Sequence, residues 1–255
     1  THPIMNNPLS IGILGAGSMG GAHARRLAQL PDVRITAICS QPRETAERLA
    51  AEATAGAARV YDDVRVMLRK EKLDALYVCL PPYAHSGQVE AAARKGIHLF
   101  VEKPLALTTS RARRMLRAAQ QSGVITHVGY HMRYGGAVRR LKQLLESGAA
   151  GRPTLFDARF DCNSLHSAWW RDKTMCGGQV FEQVIHLYDM ALHLLGAPSR
   201  VAGFTANLCH AHVPDYTVED TSASVIRFRS GAMASITGSN CAVPMEWNGP
   251  FTLVC

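Results

Sequence analysis

The sequence Leu9-Ser-Ile-Gly-Ile-Leu-Gly15-Ala-Gly17-Ser-Met-Gly20 joins a short apolar run to an amphipathic one. The run before the glycines has the length of a strand, and residues 18–30 have the periodicity of a helix. In such a turn Gly15 permits the tight bend, Gly17 leaves room for a pyrophosphate, and Gly20 lets the helix pack close to the strand. Because a helix N-terminus presents backbone N–H groups to anions, the pattern predicts a dinucleotide site. A purely structural turn is the alternative.

Strand-length apolar runs alternate with longer amphipathic runs through the first half of the chain. Strands rich in Val, Ile and Leu that alternate with helices indicate a parallel sheet covered on both faces. We therefore predict an α/β fold in which residues 1–129 form a doubly wound, Rossmann-type dinucleotide-binding domain. The predicted strands are 9–14, 33–39, 59–61, 75–80, 98–101 and 124–128, and the predicted helices are 18–30, 43–55, 64–70, 84–95 and 110–121.

The pattern changes after Gly129. A strand over 154–162 and a helix over 179–195 precede four strand-like runs, at 200–207, 222–228, 232–237 and 251–255. Successive strands with little helix between them predict an α+β domain with an open antiparallel sheet over residues 130–255. Because the last run reaches Cys255 and would leave an unprotected edge strand, we expect this domain to be incomplete and the native chain to continue.

The composition argues against several classes of protein. Of 255 residues, 47% are hydrophobic and 19% are charged, which is typical of a globular chain and not of a disordered one. The apolar runs are much shorter than the roughly 20 residues of a membrane-spanning helix. Seven dispersed cysteines without a Cys-x-x-Cys pair favour a reducing compartment, so we expect a cytoplasmic protein. The net charge of +8 includes basic clusters at 111–117 and 139–142, but no nucleic-acid-binding motif accompanies them, and we expect solvated helix faces there.

The end of the second predicted strand bears on the choice of cofactor. An acidic side chain there would bind the ribose 2′-hydroxyl of NAD and repel the 2′-phosphate of NADP. The sequence Cys39-Ser40-Gln-Pro-Arg43 has no acid before Glu44, and both Ser40 and Arg43 can bind a phosphate. We therefore predict NADP in preference to NAD. The alternative is that Arg43 faces solvent and that Ser40 accepts either ribose.

Further motifs follow the glycine turn along the chain. They are Leu80-Pro81-Pro-Tyr-Ala-His85, Glu102-Lys103-Pro104, Gly129-Tyr-His-Met-Arg133, Trp170-Arg171, and Gly177-Gly178 followed by His186-Leu-Tyr-Asp189. With these motifs, the chain from Leu9 onward resembles the glucose-fructose oxidoreductase / inositol dehydrogenase / MocA (Gfo/Idh/MocA) oxidoreductase family. The resemblance implies an NAD(P)-dependent oxidoreductase of sugars, inositols or similar polyols. It also implies a homo-oligomer, a dimer or a tetramer, assembled through the C-terminal sheet, and a chain longer than this one.

The resemblance also implies roles for individual residues. Lys103 would contact cofactor and substrate and stabilise a developing alkoxide, while His186 would carry the substrate proton with the help of Glu182. The alternatives are a surface lysine at 103 and a solvated polar stripe of Glu182, His186, Asp189 and His193 at helical spacing. The predicted cofactor site comprises Gly15, Gly17, Ser18, Met19, Gly20, Ser40, Arg43, Leu80, Pro81, His85, Glu102 and Lys103, and the predicted substrate site comprises Arg133, Trp170, Arg171 and Asp189.

Five further residues need separate interpretation. Glu182 stands where the family often has Asp, and Cys176 replaces the first glycine of a usual triple; we interpret that cysteine as a small packing residue. Trp170 can stack on the apolar face of a sugar ring, although aromatic residues are more often part of a core. His210 and His212 have no third ligand near them in the sequence, so we predict a loop there and no metal site.

The sequence therefore predicts an NAD(P)-dependent dehydrogenase or reductase that acts on the CH–OH group of a sugar, an inositol or a similar polyol. The alternative is a catalytically inactive protein that binds the dinucleotide for regulation or as a scaffold, because binding and chemistry use different residues. No nucleic-acid or membrane partner is expected.

Overall fold

The protein is described by a computed structural model over residues 7–242 and 246–255. The chain divides into two compact units, of which the first ends at Gly129 and the second begins at Tyr130. Among the described residues, we find no helix that has both the length and the apolar character needed to cross a membrane.

The first unit contains a six-stranded sheet in which every pairing is parallel. Ile13 and Leu14 follow each other in the chain but belong to two different buried clusters, because side chains alternate between two covered faces. The predicted doubly wound sheet is therefore confirmed. Its strands are β1 (Leu9–Leu14), β2 (Val33–Cys39), β3 (Arg59–Tyr61), β4 (Ala75–Val78), β5 (His98–Val101) and β6 (Thr126–Val128), in the order β3-β2-β1-β4-β5-β6.

The helices of the first unit follow the prediction with one exception. They are α1 (Ser18–Leu27), α2 (Arg43–Thr54), α3 (Val64–Lys70), α4 (Gln88–Ala93) and α5 (Thr109–Ser122). The exception is the predicted helix 84–95, which is replaced by a 3₁₀ turn at Pro82–Ala84 and the short α4. Gly87 between them has φ +125°, a conformation outside the helical region that only glycine adopts easily, and it ends the regular pattern.

The second unit combines helices with a second six-stranded sheet. Its helices are α6 (Gly136–Glu146), α7 (Ala168–Arg171), α8 (Lys173–Cys176) and α9 (Ile185–Leu195), with a 3₁₀ turn at His131–Tyr134 and a π-helical turn at Val180–Val184. Its strands are β7 (Leu155–Cys162), β8 (Pro198–Ala206), β9 (Thr221–Phe228), β10 (Met233–Ser239), β11 (Trp247–Asn248) and β12 (Phe251–Val254). Strands β11-β7-β10-β9-β8 pair in that order, and β12 also pairs with β7.

The prediction of an antiparallel sheet was wrong for one pair of strands, because β7 and β10 run parallel. Helix α9 lies between β7 and β8 in the sequence and carries the chain back along the sheet. Strand β8 therefore starts from the same end of the sheet as β7. A long loop from β8 to β9 and a tight turn from β9 to β10 then make β8 and β10 point the same way, since β9 is antiparallel to both. The sheet is therefore mixed.

The second sheet buries one face and leaves the other open. Phe156, Phe228 and Ile236 on the buried face pack with Leu187 and Met190 of α9. On the other face five large apolar side chains are exposed, namely Leu155 (37%), Phe204 (87%), Val225 (60%), Met233 (56%) and Val254 (46%). This unit therefore has a large apolar surface that nothing within the described chain covers.

Candidate active site

The glycine turn between β1 and α1 leaves an open cradle at the helix N-terminus. Gly15 has φ +96°, which glycine adopts without strain. A Cβ on Gly20 would lie 1.9 Å from the carbonyl oxygen of Gly15, whereas a Cβ on Gly17 would meet nothing within 4 Å. Gly17 caps α1 without a side-chain acceptor, and the first turn, with Ser18 and Met19, contains no acidic residue. These residues fit a dinucleotide diphosphate, because the space is open and the helix end favours an anion.

The two residues predicted to select the cofactor differ in how freely they can move. Ser40 is buried, and its Oγ accepts hydrogen bonds from the Ala16 N–H at 3.2 Å and from the Thr45 hydroxyl at 2.9 Å. Arg43 begins α2 and pairs with Glu47 at 2.9 Å, and both of these side chains are about half exposed. Ser40 thus ties the end of β2 to the glycine turn, while Arg43 is held only by a weak surface ion pair.

A cavity of about 280 Å³ opens beside this edge of the first unit. Gly17 and Ser18 of the glycine turn line it together with Thr45 of α2. Two basic side chains, Arg25 and Arg48, also line it, and they are accompanied by the acidic Glu52. The cavity therefore presents a net positive charge next to the diphosphate cradle.

Glu102, directly after β5, is fixed from three sides. Its Oε1 lies 2.6 Å from His23 Nε2, and its Oε2 accepts the backbone N–H of Lys103 at 3.1 Å. A Cβ on Gly129 would lie 2.9 Å from Oε2, so the glycine is required for the carboxylate to fit. Sequence reasoning missed His23. The one local signal is that His23 lies one turn after Gly20 on α1, so it is on the same helix face, which packs against the sheet.

The remaining predicted cofactor residues share one edge of the first sheet. Leu80 and Pro81 follow β4, and the half-buried Lys103 follows the neighbouring β5. All three residues therefore lie at the carboxyl ends of parallel strands. His85 is buried, with Nδ1 3.0 Å from the carbonyl oxygen of Leu105. Burial holds the pKa of His85 below its usual range, so the ring is neutral. Its Nε2 atom is buried and has no hydrogen-bond partner among the described residues.

In the second unit, two glycines and a buried glutamate begin the predicted long helix. Gly177 and Gly178 have φ +89° and +111°, and a Cβ on Gly178 would lie 2.4 Å from Glu219. Glu219 accepts the backbone N–H of Val180 at 3.0 Å. Sequence reasoning missed Glu219, because it lies 39 residues further along the chain and no motif marks it.

The predicted continuous helix 179–195 begins instead with the π-helical turn Val180–Val184 and continues as α9. Within that turn, Glu182 Oε2 accepts a hydrogen bond from Trp170 Nε1 at 2.7 Å. π-Helical turns inside helices are frequent at functional sites because they change the direction of one side chain. Here Glu182 is oriented by the indole.

Trp170 does not present the open ring face that stacking on a sugar would need. The side chain is 3% exposed and packs with Cys176, Tyr216 and Val218. The prediction of a stacking surface was therefore wrong, and the core interpretation of the ring is confirmed. Cys176 is fully buried, and burial raises its pKa to about 11, which agrees with a packing residue.

His186 lies in the first turn of α9 and is 5% exposed. The His131 ring packs against it with the ring centroids 4.5 Å apart, and the Tyr130 ring meets it edge-on at 6.4 Å. The interpretation of this helix as a solvated stripe is wrong at His186 and at Asp189, which are both buried. Sequence reasoning missed His131 and Tyr130 as site residues, although both belong to the motif that contains Arg133.

One turn further along α9, Asp189 forms a bidentate ion pair with Arg133. Arg133 Nε lies 2.6 Å from Oδ2 of Asp189, and Nη2 also donates to Oδ1. This hydrogen-bonded carboxylate raises the pKa of Arg133. Arg171 is used differently, because its guanidinium donates to the carbonyl oxygens of Leu165 and His166. Helix α9 therefore carries both His186 and Asp189, and the 3₁₀ turn His131–Tyr134 brings Arg133 to Asp189. Arg171 instead holds the loop at Leu165 and His166.

The fold and these residues agree with comparisons to known families. Residues 9–130 match a family model described as an oxidoreductase family with an NAD-binding Rossmann fold, and residues 138–254 match the GFO/IDH/MocA C-terminal domain. The chain belongs to the Gfo/Idh/MocA oxidoreductase family, as the resemblance in the sequence predicts.

Individual relatives give the same picture. The chain is 30% identical over 240 residues to myo-inositol 2-dehydrogenase of Thermotoga maritima, with 92% of this chain and 70% of the relative covered. It is 27% identical to the NAD-dependent scyllo-inositol 2-dehydrogenase of Bacillus subtilis, with 92% and 68% covered. The crystal structure of the WlbA dehydrogenase from Bordetella pertussis, in complex with NADH and UDP-GlcNAcA, is 26% identical with a TM-score of 0.89, covering 99% of this chain and 72% of that one.

Proposed function

We propose that the protein is an NAD(P)-dependent dehydrogenase or reductase that interconverts an alcohol and a ketone on a sugar, an inositol or a similar polyol. The observation that carries this proposal is the burial of His186 between aromatic rings and beside the Arg133–Asp189 pair. A buried imidazole on a helix is suited to carry a proton, and a protein that only binds a dinucleotide does not need one. Relatives named as inositol dehydrogenases support the substrate class.

In the first unit, the residues after β1, β4 and β5 would bind the cofactor, whose nicotinamide accepts or delivers the hydride. The cradle at Gly15, Gly17 and Gly20 would hold the diphosphate. The unpartnered Nε2 of the neutral His85 ring is an acceptor suited to a carboxamide N–H. Lys103 would supply the positive charge that stabilises an alkoxide, and Glu102 would keep the backbone of Lys103 in place through the hydrogen bond to its N–H.

In the second unit, His186 would accept the hydroxyl proton during oxidation and return it during reduction. Glu182 would bind a substrate hydroxyl or orient the imidazole, with its own direction fixed by Trp170. Arg133 and Asp189 would bind further hydroxyl groups. Outside their pair, the Arg133 guanidinium can donate a hydrogen bond and the Asp189 carboxylate can accept one. Trp170 therefore acts as a positioning residue, and we assign Arg171 the same role through the loop at Leu165 and His166.

We further propose that NADP is preferred to NAD. The support is the absence of an acid between Cys39 and Arg43, the exposed Arg43, and the basic side chains Arg25 and Arg48 in the adjoining cavity. A 2′-phosphate would compete with Glu47 for Arg43, and an exposed ion pair of this kind is worth less than about 1 kcal/mol. The buried Ser40 would position the turn and would not itself need to select the ribose.

We also propose a homo-oligomer assembled through the open face of the second sheet. Leu155, Phe204, Val225 and Met233 lie on that face, and exposed apolar patches of this kind mark interaction surfaces. Arg159 of β7 and Arg227 of β9 lie on the same face, on the two strands that flank β10, where they can form the polar rim of an interface.

Turnover measurements test the catalytic proposal. With a panel of inositols, sugars and polyols, the wild-type chain should reduce NADP or NAD, and His186→Gln should lower kcat by about 100-fold or more. His193→Gln on the same helix is the matched control and should retain activity within about threefold. Lys103→Met should lower kcat while NADPH affinity stays within about tenfold. If the wild type binds NADPH but turns over none of the panel, or if His186→Gln is as active as His193→Gln, the protein is a dinucleotide-binding regulator or uses a different acid.

A further inference from the structure

A cluster of metal-ligand side chains lies in the second unit, apart from the residues assigned above. A ring nitrogen of His210, a carboxylate oxygen of Asp220 and Cys241 Sγ all lie within 4.8 Å of one another. The three residues come from the loop after β8, the start of β9 and the segment after β10, so the fold brings together side chains that are distant in sequence. A second thiol, that of the exposed Cys209, neighbours Cys241 but lies outside this group of three.

The imidazole of His210 is fixed by its neighbours and has a nitrogen atom that can bind a ligand. His210 is only 9% exposed, and its ring stacks on Tyr216 with the centroids 4.8 Å apart. Nδ1 lies 3.3 Å from Oδ2 of Asp220, but it is a buried atom with no hydrogen-bond partner among the described residues. Buried polar atoms are normally hydrogen-bonded, and an exception indicates a missing ligand, ion or water.

Asp220 is fully buried and fixed by its neighbours. Its carboxylate accepts the backbone N–H groups of Leu208, Cys209 and His210 at 2.9, 2.7 and 2.8 Å. Such hydrogen bonds to a metal-ligating carboxylate are typical of the groups that surround protein metal sites. The Asp220 carboxylate therefore lies in a fixed place next to His210 Nδ1 and close to the Cys241 thiol.

We propose that His210, Asp220 and Cys241 bind a zinc ion. One sulfur, one nitrogen and one oxygen form a donor set that suits tetrahedral Zn²⁺ and leaves the fourth position to water. Metal–ligand bonds of about 2.0–2.2 Å place neighbouring N and O ligands about 3.4 Å apart in a tetrahedron. The 3.3 Å between His210 and Asp220 is already close to that distance.

Binding requires the Cys241 thiol to lose its proton. The S–H bond breaks, its electron pair forms the bond to Zn²⁺, and the proton leaves to solvent. The bound ion would join the loop after β8 to the segment after β10.

Cobalt(II) substitution tests the proposal directly. The full chain is reduced, freed of metal with a chelator and titrated with Co²⁺, which in a tetrahedral thiolate site gives intense visible bands and a sulfur-to-metal charge-transfer band. We expect both at one equivalent and their loss on addition of Zn²⁺. His210→Ala and Cys241→Ser should each weaken binding by at least about 100-fold. The matched controls His212→Ala and Cys255→Ser should bind Co²⁺ like the wild type.

Several outcomes would overturn the proposal. They are the absence of the charge-transfer band in the wild type, its survival in both His210→Ala and Cys241→Ser, or its equal loss in His212→Ala. A disulfide between Cys209 and Cys241 that forms as fast with Zn²⁺ present as without it would identify the cluster as a redox pair instead. Circular dichroism of the variants excludes misfolding, and neither readout depends on the catalytic proposal. Asp220→Asn is not used, because Asp220 also holds three backbone N–H groups.

Discussion

The two six-stranded sheets of this protein differ in how their faces are used. The first is parallel, and both of its faces are covered by helices, so Ile13 on β1 is completely buried. The second is mixed, and on its uncovered face Phe204 is 87% exposed. A sheet covered on both faces offers function mainly at its strand ends, which is where the predicted cofactor residues lie. A sheet with one bare face also offers a surface for a partner.

Truncating one large apolar side chain in each sheet should give the largest contrast in the free energy of unfolding. Ile13→Ala removes buried methyl groups and leaves a cavity, so it should lower the free energy of unfolding by about 3–4 kcal/mol. Phe204→Ala removes an exposed side chain, so it should change the stability of the subunit by less than about 0.5 kcal/mol. Instead, it should shift the protein toward smaller assemblies in analytical ultracentrifugation. Equal destabilisation by both changes, measured below the concentration of assembly, would contradict the contrast.

The glycine turn gives a second contrast, this time within the first unit. Gly20→Ala places a Cβ 1.9 Å from a backbone oxygen, so it should destabilise the chain by about 3 kcal/mol. Gly17→Ala has open space and an ordinary φ of −76°, so urea unfolding should change by less than about 0.5 kcal/mol. A stable Gly20→Ala variant would mean that α1 does not pack as closely to β1 as the structure has it.

Acid should weaken the first unit through Glu71. The hydrogen bonds from Arg59 and then Tyr61 lower the pKa of this buried carboxyl below its ordinary value. The stabilisation is therefore present above the pKa of the unfolded chain, about 4.3, and is lost as the pH falls through that value toward the lower folded pKa. Glu71→Gln should make urea stability below pH 5 less dependent on pH than in the wild type. An unchanged pH slope in the variant would show that other carboxyls dominate acid unfolding.

The smallest effect is expected at Arg43. Arg43→Ala should weaken NADPH binding about tenfold, or about 1.4 kcal/mol, and should leave NADH binding nearly unchanged. Fluorescence titration with the two nucleotides measures both affinities. Lys70→Ala, at the end of α3, is a control for general loss of positive charge. An equal loss of affinity for both nucleotides, or a preference of the wild type for NADH, would remove the argument for a phosphate site.

Much of the first unit could be predicted because its signals are local. The alternation of strand and helix periods, with glycines at the first turn, determines the parallel sheet. The helix over 84–95 could not be placed, because the conformation of Gly87 depends on its neighbours in space. In the second unit, the direction of β10 relative to β7 depends on how a helix and two turns add up, and periodicity does not record this.

The candidate site divides in the same way. Glu182, His186 and Arg133 belong to motifs and could be named from the sequence. Their contacts could not be predicted, because Trp170 meets Glu182 and the His131 ring meets His186 only when the chain has folded. The cluster at His210 was equally hidden, since Asp220 and Cys241 lie 10 and 31 residues further along the chain.

The central claim is that the turn after β1 binds the diphosphate of a nicotinamide dinucleotide. Isothermal titration of the wild type and of Gly17→Ala with NADPH and with NADH tests it most directly. We predict one equivalent of nucleotide for the wild type, and for Gly17→Ala an unchanged fold with at least about tenfold weaker binding, because the added methyl group occupies the cradle. No binding of either nucleotide to the wild type, or equal binding by the variant, would contradict the claim.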